Sequence, residues 1–363
     1  MSGVIEMKRP ERILIIKMSA IGDVVHTLPL LEVLGKNFPG TRIDWLVEEE
    51  ASDIIAGHPF LDRMIVSRRK GWEKRLAGFR DGPAVLREGF AFLKELRARR
   101  YDLILDLQGL LRSGVLTGLS RGKRKIGLEG AREGGGLFVN DGPVPVDPDE
   151  HAVDRYLRMA AYLGCRPVPW KGEIALFDAD RERVERLLNG NAMSGRPLVA
   201  VNPMARWETK LWPPERFTAL AARLTDELGC GVVFTGSRRD RAVLDGVCAG
   251  AGDRAVNLAG RTDLKQLACL YTRCAVVVTT DTGPMHIAAA MGTPVVALFG
   301  PTAPWRTGPY GKGHTIIREK MPCSPCFKKR CDHGTCMDRI AVDRVFSAVR
   351  EALGAGVTAG ERG

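Results

Sequence analysis

The 363-residue sequence has no apolar run approaching the ~20 residues that a membrane-spanning helix needs. Its first residues, Met1 to Glu11, are polar, and the first apolar run already ends at Lys17, so no secretory signal is expected. Neither half carries a Walker A loop or a G-x-G-x-x-G placed after a strand, which argues against a P-loop kinase or a simple nicotinamide-dependent dehydrogenase. A disulfide framework is also absent. Five of the nine cysteines (Cys165, Cys230, Cys248, Cys269 and Cys274) are scattered through segments that read mostly as core, as in a reducing compartment. What remains is ordinary folded material, 45% apolar and 27% charged, long enough for two domains. Its net charge of +11 points to an anionic partner, such as nucleic acid, phosphorylated metabolites or an anionic membrane, or to a merely basic surface.

The cations are unevenly placed. Arg68, Arg69, Lys70, Lys74 and Arg75 surround Trp72, Arg97, Arg99 and Arg100 close a helical segment, and Arg121, Lys123, Arg124 and Lys125 form a third group. All fall in the first half, in segments that read as connections, where they are either solvated ends or a seat for a phosphorylated ligand at a membrane face.

Strand-length apolar runs alternate with helical patterns twice. In the first half the runs are Arg12–Ile16, Arg42–Val47, Arg63–Val66, Tyr101–Leu107 and Lys125–Leu128, with an amphipathic helix over Ala84–Arg97 whose inward face is Leu86, Phe90, Leu93 and Leu96. The two prolines of Gly164–Trp170 mark a linker. In the second half the runs are Pro197–Asn202, Gly231–Gly236, Arg254–Leu258, Ala275–Thr280 and Thr293–Phe299. This predicts two doubly wound parallel sheets facing each other across a cleft, with a first domain over 1–170, a second over 171–340, and a last helix over 341–363 that returns toward the first domain before a loose tail from Gly354.

Two strand-to-helix turns carry chemistry. In Lys17-Met18-Ser19-Ala20-Ile21-Gly22-Asp23, Gly22 suits a tight backbone and Asp23 falls at a helix N-terminus. Asp23 is either a cap or a carboxylate that accepts a substrate proton. In Thr280-Asp281-Thr282-Gly283-Pro284-Met285-His286, free helix N–H groups suit a phosphate, Gly283 permits close approach and Thr282 adds a hydroxyl. His286 is either structural or a ligand contact, and Lys210, in the loop after the second half's first strand, suits a diphosphate. Cys323, Cys326, Cys331 and Cys336, spaced C-x2-C-x4-C-x4-C, suit a structural zinc knuckle, or else are reduced thiols or local disulfides.

The stretches KMSAIGDVVHTLP, IDWLVEE, DLQGLLRSG, ETKLWPPERF and TTDTGPMHIAAAMGTPVVALFGPT together resemble the bacterial lipopolysaccharide heptosyltransferases, glycosyltransferase family nine, over roughly Arg12 to Leu353. The first two most resemble the type I members. The resemblance implies the GT-B architecture: two Rossmann-like domains, the first for the acceptor and the second for the sugar nucleotide. It implies an inverting transfer of heptose from ADP-heptose to a hydroxyl of Kdo-lipid A, with Asp23 as general base and no required cofactor. Donor contacts carry over onto Lys210, Asp281, Thr282, Gly283 and His286, and onto Asp240 and Thr262 by looser alignment. Acceptor contacts carry over onto Ser19, Gly22, Arg68, Arg69, Lys70 and Arg132. The expected setting is cytoplasmic, peripheral at the inner membrane, as a monomer without nucleic acid. Readings left beside it are a later-acting heptosyltransferase, a two-domain sugar-nucleotide epimerase, and a non-catalytic binder of anionic lipid or nucleic acid. The sequence departs from the family in the loop holding Ala205 and Arg206, where family threonines are missing, and in the four-cysteine segment.

Overall fold

The first strand, β1 (Arg12–Ile16), is buried along almost its whole length, and its apolar run is what a strand covered on both faces requires. The computed structural model describes residues 9–360 apart from 79, 80, 192 and 194, with side chains described to residue 354. The chain divides into two units, the first to Ala175 and the second from Leu176, a few residues beyond the expected linker.

In the first unit β1 leads into helix α1 (Ile21–Asn37), then β2 (Arg42–Glu48), the short α2 (Ser52–Ile55), β3 (Arg63–Ser67), α3 (Arg69–Ala77), α4 (Gly82–Leu96), β4 (Tyr101–Asp106), α5 (Leu111–Leu119), β5 (Gly122–Gly127) and α6 (Ala152–Tyr162). The sheet order is β3-β2-β1-β4-β5 and every pairing is parallel. Chain order therefore reverses between β1 and β4, and the crevice outside their carboxyl ends is the place where such sheets bind ligands. Leu14, Ile16, Leu46, Ile65, Phe92, Leu96 and Ile104 form a core cluster on one side of the sheet.

The second unit begins with α7 (Asp178–Asn189) and continues through β6 (Leu198–Asn202), α8 (Pro214–Asp226), β7 (Gly231–Phe234), α9 (Arg241–Ala249), β8 (Ala255–Asn257) and α10 (Leu264–Thr272). It is completed by β9 (Val276–Thr280), α11 (Gly283–Ala290), β10 (Val295–Phe299), the short α12 (Pro304–Thr307), β11 (Thr315–Arg318), α13 (Thr335–Asp338) and α14 (Val342–Gly360). The order β11-β10-β9-β6-β7-β8 is again all parallel, with the reversal between β6 and β9. Val345, Phe346 and Val349 of α14 enter this unit's core with Trp212, Phe217 and Leu224. The helix continues to Gly360, through most of the expected tail, and 361–363 lie outside the described residues. No helix among the described residues is long and apolar enough to cross a membrane.

Two expectations are corrected. The cations Arg69, Lys70, Lys74 and Arg75 lie on helix α3 rather than in a loop, and Lys123 to Lys125 lie within β5. On α4 the inward residues are Val85, Phe92 and Leu96, whereas Leu86 and Phe90 point to solvent. A short strand of four residues, β11, pairs with β10 and completes the second sheet at its edge.

Candidate active site

Both reversal points are occupied by the two chemical turns. After β1, Met18 and Ser19 donate their backbone N–H groups to Gln108 Oε1 at 3.1 and 3.0 Å. Gln108 follows β4, so this amide ties the two strands' turns together where the sheet order reverses. Asp106, at the end of β4, shapes the second turn by accepting from the backbone of Gln108 and Gly109 and from Ser113 and Thr117. Burial pushes its carboxyl above the usual range despite those donors. Gly109 has φ +64°, the left-handed conformation that glycine adopts without a Cβ penalty.

Asp23 is the third residue of α1. Its Oδ2 accepts from the Ala20 backbone N–H at 3.2 Å, so it does cap the helix. Oδ2 also lies 3.8 Å from the Lys17 ammonium. Oδ1 has no hydrogen-bond partner among the described residues, and the side chain is 37% exposed. One oxygen is fixed and the other is open. Gly22 is the second residue of α1 and has no positive φ, so a tight turn is not its purpose.

Lys17 is buried, with Nζ 3.1 Å from the Leu107 carbonyl and 4.9 Å from the Tyr156 ring centroid. Burial opposes its charge, but the Asp23 carboxylate and Tyr156 outweigh that and hold the ammonium above its ordinary range. Burial, then Asp23, pushes the Tyr156 hydroxyl up as well. Arg112 of α5 donates to Ser19 Oγ at 3.1 Å, while its buried Nε has no partner. Lys17, Gln108, Arg112 and Tyr156 were not singled out from the sequence. The first three lie in the quoted motifs, but their roles depend on strand pairing.

The expected acceptor cations do not form an open basic patch. Arg68 pairs with Glu49 at 3.0 Å, Arg69 with Glu48 at 2.9 Å and with Glu73, and Lys70 with Glu48 at 3.3 Å and with Glu50. The parallel register sets Glu48 of β2 beside Ser67 of β3, so an acidic and a basic segment meet at one sheet edge. Arg132 lies in the turn whose backbone donates to the Gly109 carbonyl at 2.8 Å, beside a cavity of about 150 Å³ that Asp106, Gly109 and Ala131 help line.

In the second unit Lys210, after β6, reaches Asp281, after β9, across the reversal point. Nζ lies 2.6 Å from Asp281 Oδ2 and 3.1 Å from its carbonyl. Thr302 Oγ1 donates to the same Oδ2 at 2.7 Å. Both members of the pair are largely buried, and Lys210 also sits 4.6 Å from the Trp207 ring centroid. Thr282 is the N-cap of α11, Gly283 its first residue, and His286 is buried one turn in. The helix thus presents its N-terminal N–H groups beside an ion pair. Asp240 accepts from the Ser237 backbone and hydroxyl at the end of β7. Thr262 lies in the turn after β8, and that loop is tied to the Asp240 loop by the Gly260 N–H and Gly236 carbonyl at 2.9 Å. Gly260 has φ +70°, and a Cβ there would lie 2.7 Å from the Arg238 Cα. Asp240 and Thr262 therefore share the sheet edge that carries Lys210 and Asp281.

The four clustered cysteines are unpaired, and among the described residues no three His, Cys, Asp or Glu side chains converge to hold a metal ion. Cys336 is drawn toward the core, where its Sγ would meet a Cβ at Gly300 at 2.9 Å, and Cys331 accepts from the backbone of His333 and Gly334.

Comparison with known proteins agrees with this construction. The family model described as glycosyltransferase family 9 (heptosyltransferase) matches residues 90–336. Lipopolysaccharide heptosyltransferase 1 of Pseudomonas aeruginosa is 33% identical over 325 residues, covering 89% of this chain and 88% of that protein. Lipooligosaccharide heptosyltransferase 2 of Haemophilus ducreyi is 29% identical over 321 residues, 85% and 88% of the two chains. The solved structure of E. coli heptosyltransferase WaaC with ADP-2-deoxy-2-fluoro heptose superposes with a TM-score of 0.73 at 27% identity, covering 94% of this chain and 99% of that one. With the family model spanning well over half the chain and the fold in agreement, this protein belongs to glycosyltransferase family 9, the heptosyltransferases.

Proposed function

We propose that the protein transfers L-glycero-D-manno-heptose from ADP-heptose to a Kdo hydroxyl of Kdo-lipid A, in the building of the lipopolysaccharide inner core. The observation that carries this reading is Asp23, with Oδ2 anchored by Ala20 and Lys17 and Oδ1 open at the carboxyl edge of the sheet. A base held at one oxygen keeps the other free for a substrate proton. In the proposed step Asp23 takes the proton of the acceptor hydroxyl, and that oxygen attacks the anomeric carbon of the heptose. The bond from that carbon to the diphosphate oxygen breaks, its electron pair leaves with ADP, and the anomeric configuration inverts.

The second unit supplies the leaving-group side. The N-terminus of α11, with Thr282 and Gly283, offers backbone donors to the diphosphate, and Lys210 adds a charge beside them. Asp281 does not itself meet phosphate in this reading, since like charges repel; it orients Lys210 from below together with Thr302. His286 completes the phosphate side one turn into the helix. Asp240 and Thr262, on the neighbouring loops, are assigned to ribose and adenine. For the acceptor, Ser19 and Gly22 flank the base in the turn into α1, Arg132 is assigned from the turn that donates to the Gly109 carbonyl, and Arg68, Arg69 and Lys70 reach the carboxylates and phosphates by exchanging partners with Glu48, Glu49 and Glu50. This step requires no cofactor, and a zinc at the cysteine cluster would be structural. The protein is proposed to act as a monomer at the cytoplasmic face of the inner membrane.

The type 2 relative, matched over a similar share of the chain, favours a second reading in which the acceptor already carries a heptose. Product mass spectrometry settles the choice. With ADP-heptose as donor, this proposal expects one heptose added to Kdo-lipid A and none to a core that already bears its first heptose. The reverse pattern gives the protein to the later step.

A further inference from the structure

The helical hairpin of α3 and α4 has a side that the fold leaves uncovered. No residue of α3 is fully buried. It is held by Trp72, whose ring meets Phe92 at 5.6 Å between centroids and whose Nε1 donates to Glu88 at 2.7 Å. α4 turns Val85, Phe92 and Leu96 inward, and on another side it leaves Leu86 63% and Phe90 70% exposed. These two stand four residues apart, one above the other on the helix, and Lys94 continues the stripe by four more. Leu76 of α3 is 49% exposed.

The charges around this stripe differ from those at the start of α3. Arg68, Arg69, Lys70 and Arg75 are all paired with carboxylates. Lys74, Arg87 and Lys94 are exposed, and their side chains make no ion pair or hydrogen bond among the described residues. Exposed leucine and phenylalanine beside unpartnered cations is the pattern of a helix lying in the interface of an anionic bilayer, where the apolar side chains enter the acyl region and the cations meet headgroup phosphates.

We infer that the outer face of the α3–α4 hairpin, centred on Leu86 and Phe90, is a docking surface for an anionic lipid bilayer. This deepens the proposed function and rests on its lipid-borne acceptor. A second copy of the chain fits this face poorly, because it would bring the same unpartnered cations together. The location suits the reaction. α3 starts just after the carboxyl end of β3, on the sheet edge that also carries the Asp23 turn, so docking here sets that edge beside lipids.

The test is co-sedimentation of the purified full chain with vesicles, without any sugar substrate. The wild-type chain should bind vesicles rich in phosphatidylglycerol at low salt and bind phosphatidylcholine vesicles weakly. The double variant Leu86→Ser with Phe90→Ser should lose about tenfold or more in partitioning. Arg87→Ser with Lys94→Ser should lose roughly ten- to thirtyfold, together with the preference for anionic lipid. Because these four side chains are exposed, both variants should match the wild-type chain in thermal unfolding and in turnover of an acceptor stripped of its acyl chains. With acceptor embedded in vesicles their KM should rise while kcat holds. Vesicle binding that neither variant weakens overturns the inference, as does a wild-type chain that ignores anionic vesicles. A dimer in sedimentation velocity that the Leu86→Ser, Phe90→Ser variant dissolves would also overturn it and give the face to a second copy. Intact, variant-sensitive vesicle binding without heptose transfer would support the docking surface and remove only the acceptor assignment.

Discussion

Replacing Lys210 with methionine separates a structural role from a ligand role in one experiment. Its Nζ lies 2.6 Å from Asp281 Oδ2, and the Asp281 side chain is only 6% exposed. Removing the cation leaves that carboxylate buried with Thr302 as its remaining donor. Breaking a buried pair from one side costs ~3–5 kcal/mol. Lys210 is itself 16% exposed, and Thr302 survives, so about 2–4 kcal/mol is expected for Lys210→Met in urea unfolding. Adding Asp281→Asn removes the stranded charge, and the double variant should recover most of that stability. ADP affinity should behave differently. If Lys210 donates a charge-assisted hydrogen bond to the diphosphate, its loss costs roughly 1.5–3 kcal/mol, about ten- to a hundredfold in Kd, and Asp281→Asn cannot restore it. Calorimetric titration of the wild-type chain and the two variants with ADP reads this directly. Near-normal ADP binding by the refolded double variant would refute the ligand role and leave Lys210 as a support for Asp281. A Lys210→Met variant as stable as the wild-type chain would refute the burial argument itself.

The ion pairs and thiols make further predictions. Burial works to raise the Glu48 carboxyl, but Arg69 and Lys70 outweigh it and hold it below its ordinary 4.5. The resulting stabilisation is present above 4.5 and is lost as pH falls through the lowered folded value. Arg69→Ala should therefore cost ~1–2 kcal/mol at neutral pH and progressively less as pH falls below 4.5 and through that lowered value, and a pH-independent loss in urea unfolding would exclude this linkage. Lys17→Met should lower kcat by about tenfold or more with little change in the KM for either substrate, because Lys17 positions Asp23 without touching substrate; a change confined to KM would place it in the binding surface. Among the cysteines, Cys331 is held below the usual thiol range by the N–H groups of His333 and Gly334, whereas burial pushes Cys274 up to about 12. Iodoacetamide at neutral pH should label Cys331 early and Cys274 only after unfolding. A Cys331 that stays protected while the chain carries stoichiometric zinc would mean that the four clustered thiols converge after all.

Much of the fold was legible because parallel strands buried on both faces are continuous apolar runs, and those of β1, β4, β6 and β9 stand out from polar turns. The two chemical turns were legible for the same reason, since each follows such a strand. What failed was information that only packing holds. α3 reads RKGWEKRLA, and with no buried face it shows no helical periodicity. The first half of β5 reads Gly-Lys-Arg-Lys, tolerated because this strand lies at the sheet edge. On α4 the periodicity was real and Leu93 and Leu96 do face the core, but Leu86 and Phe90, which keep helical spacing as well as Val85 and Phe92 do, were placed on the wrong side. In the site, Asp23 and the Asp281 turn could be read locally. Gln108 bridging to Met18, Thr302 beneath Asp281, and Glu48 to Glu50 neutralising Arg68 to Lys70 join residues distant in sequence, and only strand register brings them together.

The most direct test of the central claim is single-turnover transfer from ADP-heptose to Kdo-lipid A by the wild-type chain and by Asp23→Asn. The substitution keeps an oxygen that can accept from Ala20, so α1 stays capped while the proton acceptor is gone. ADP binding should stay unchanged within about twofold while the transfer rate falls by ~100-fold or more. An Asp23→Asn enzyme that transfers heptose at close to the wild-type rate would leave Asp23 as a helix cap and place the base elsewhere.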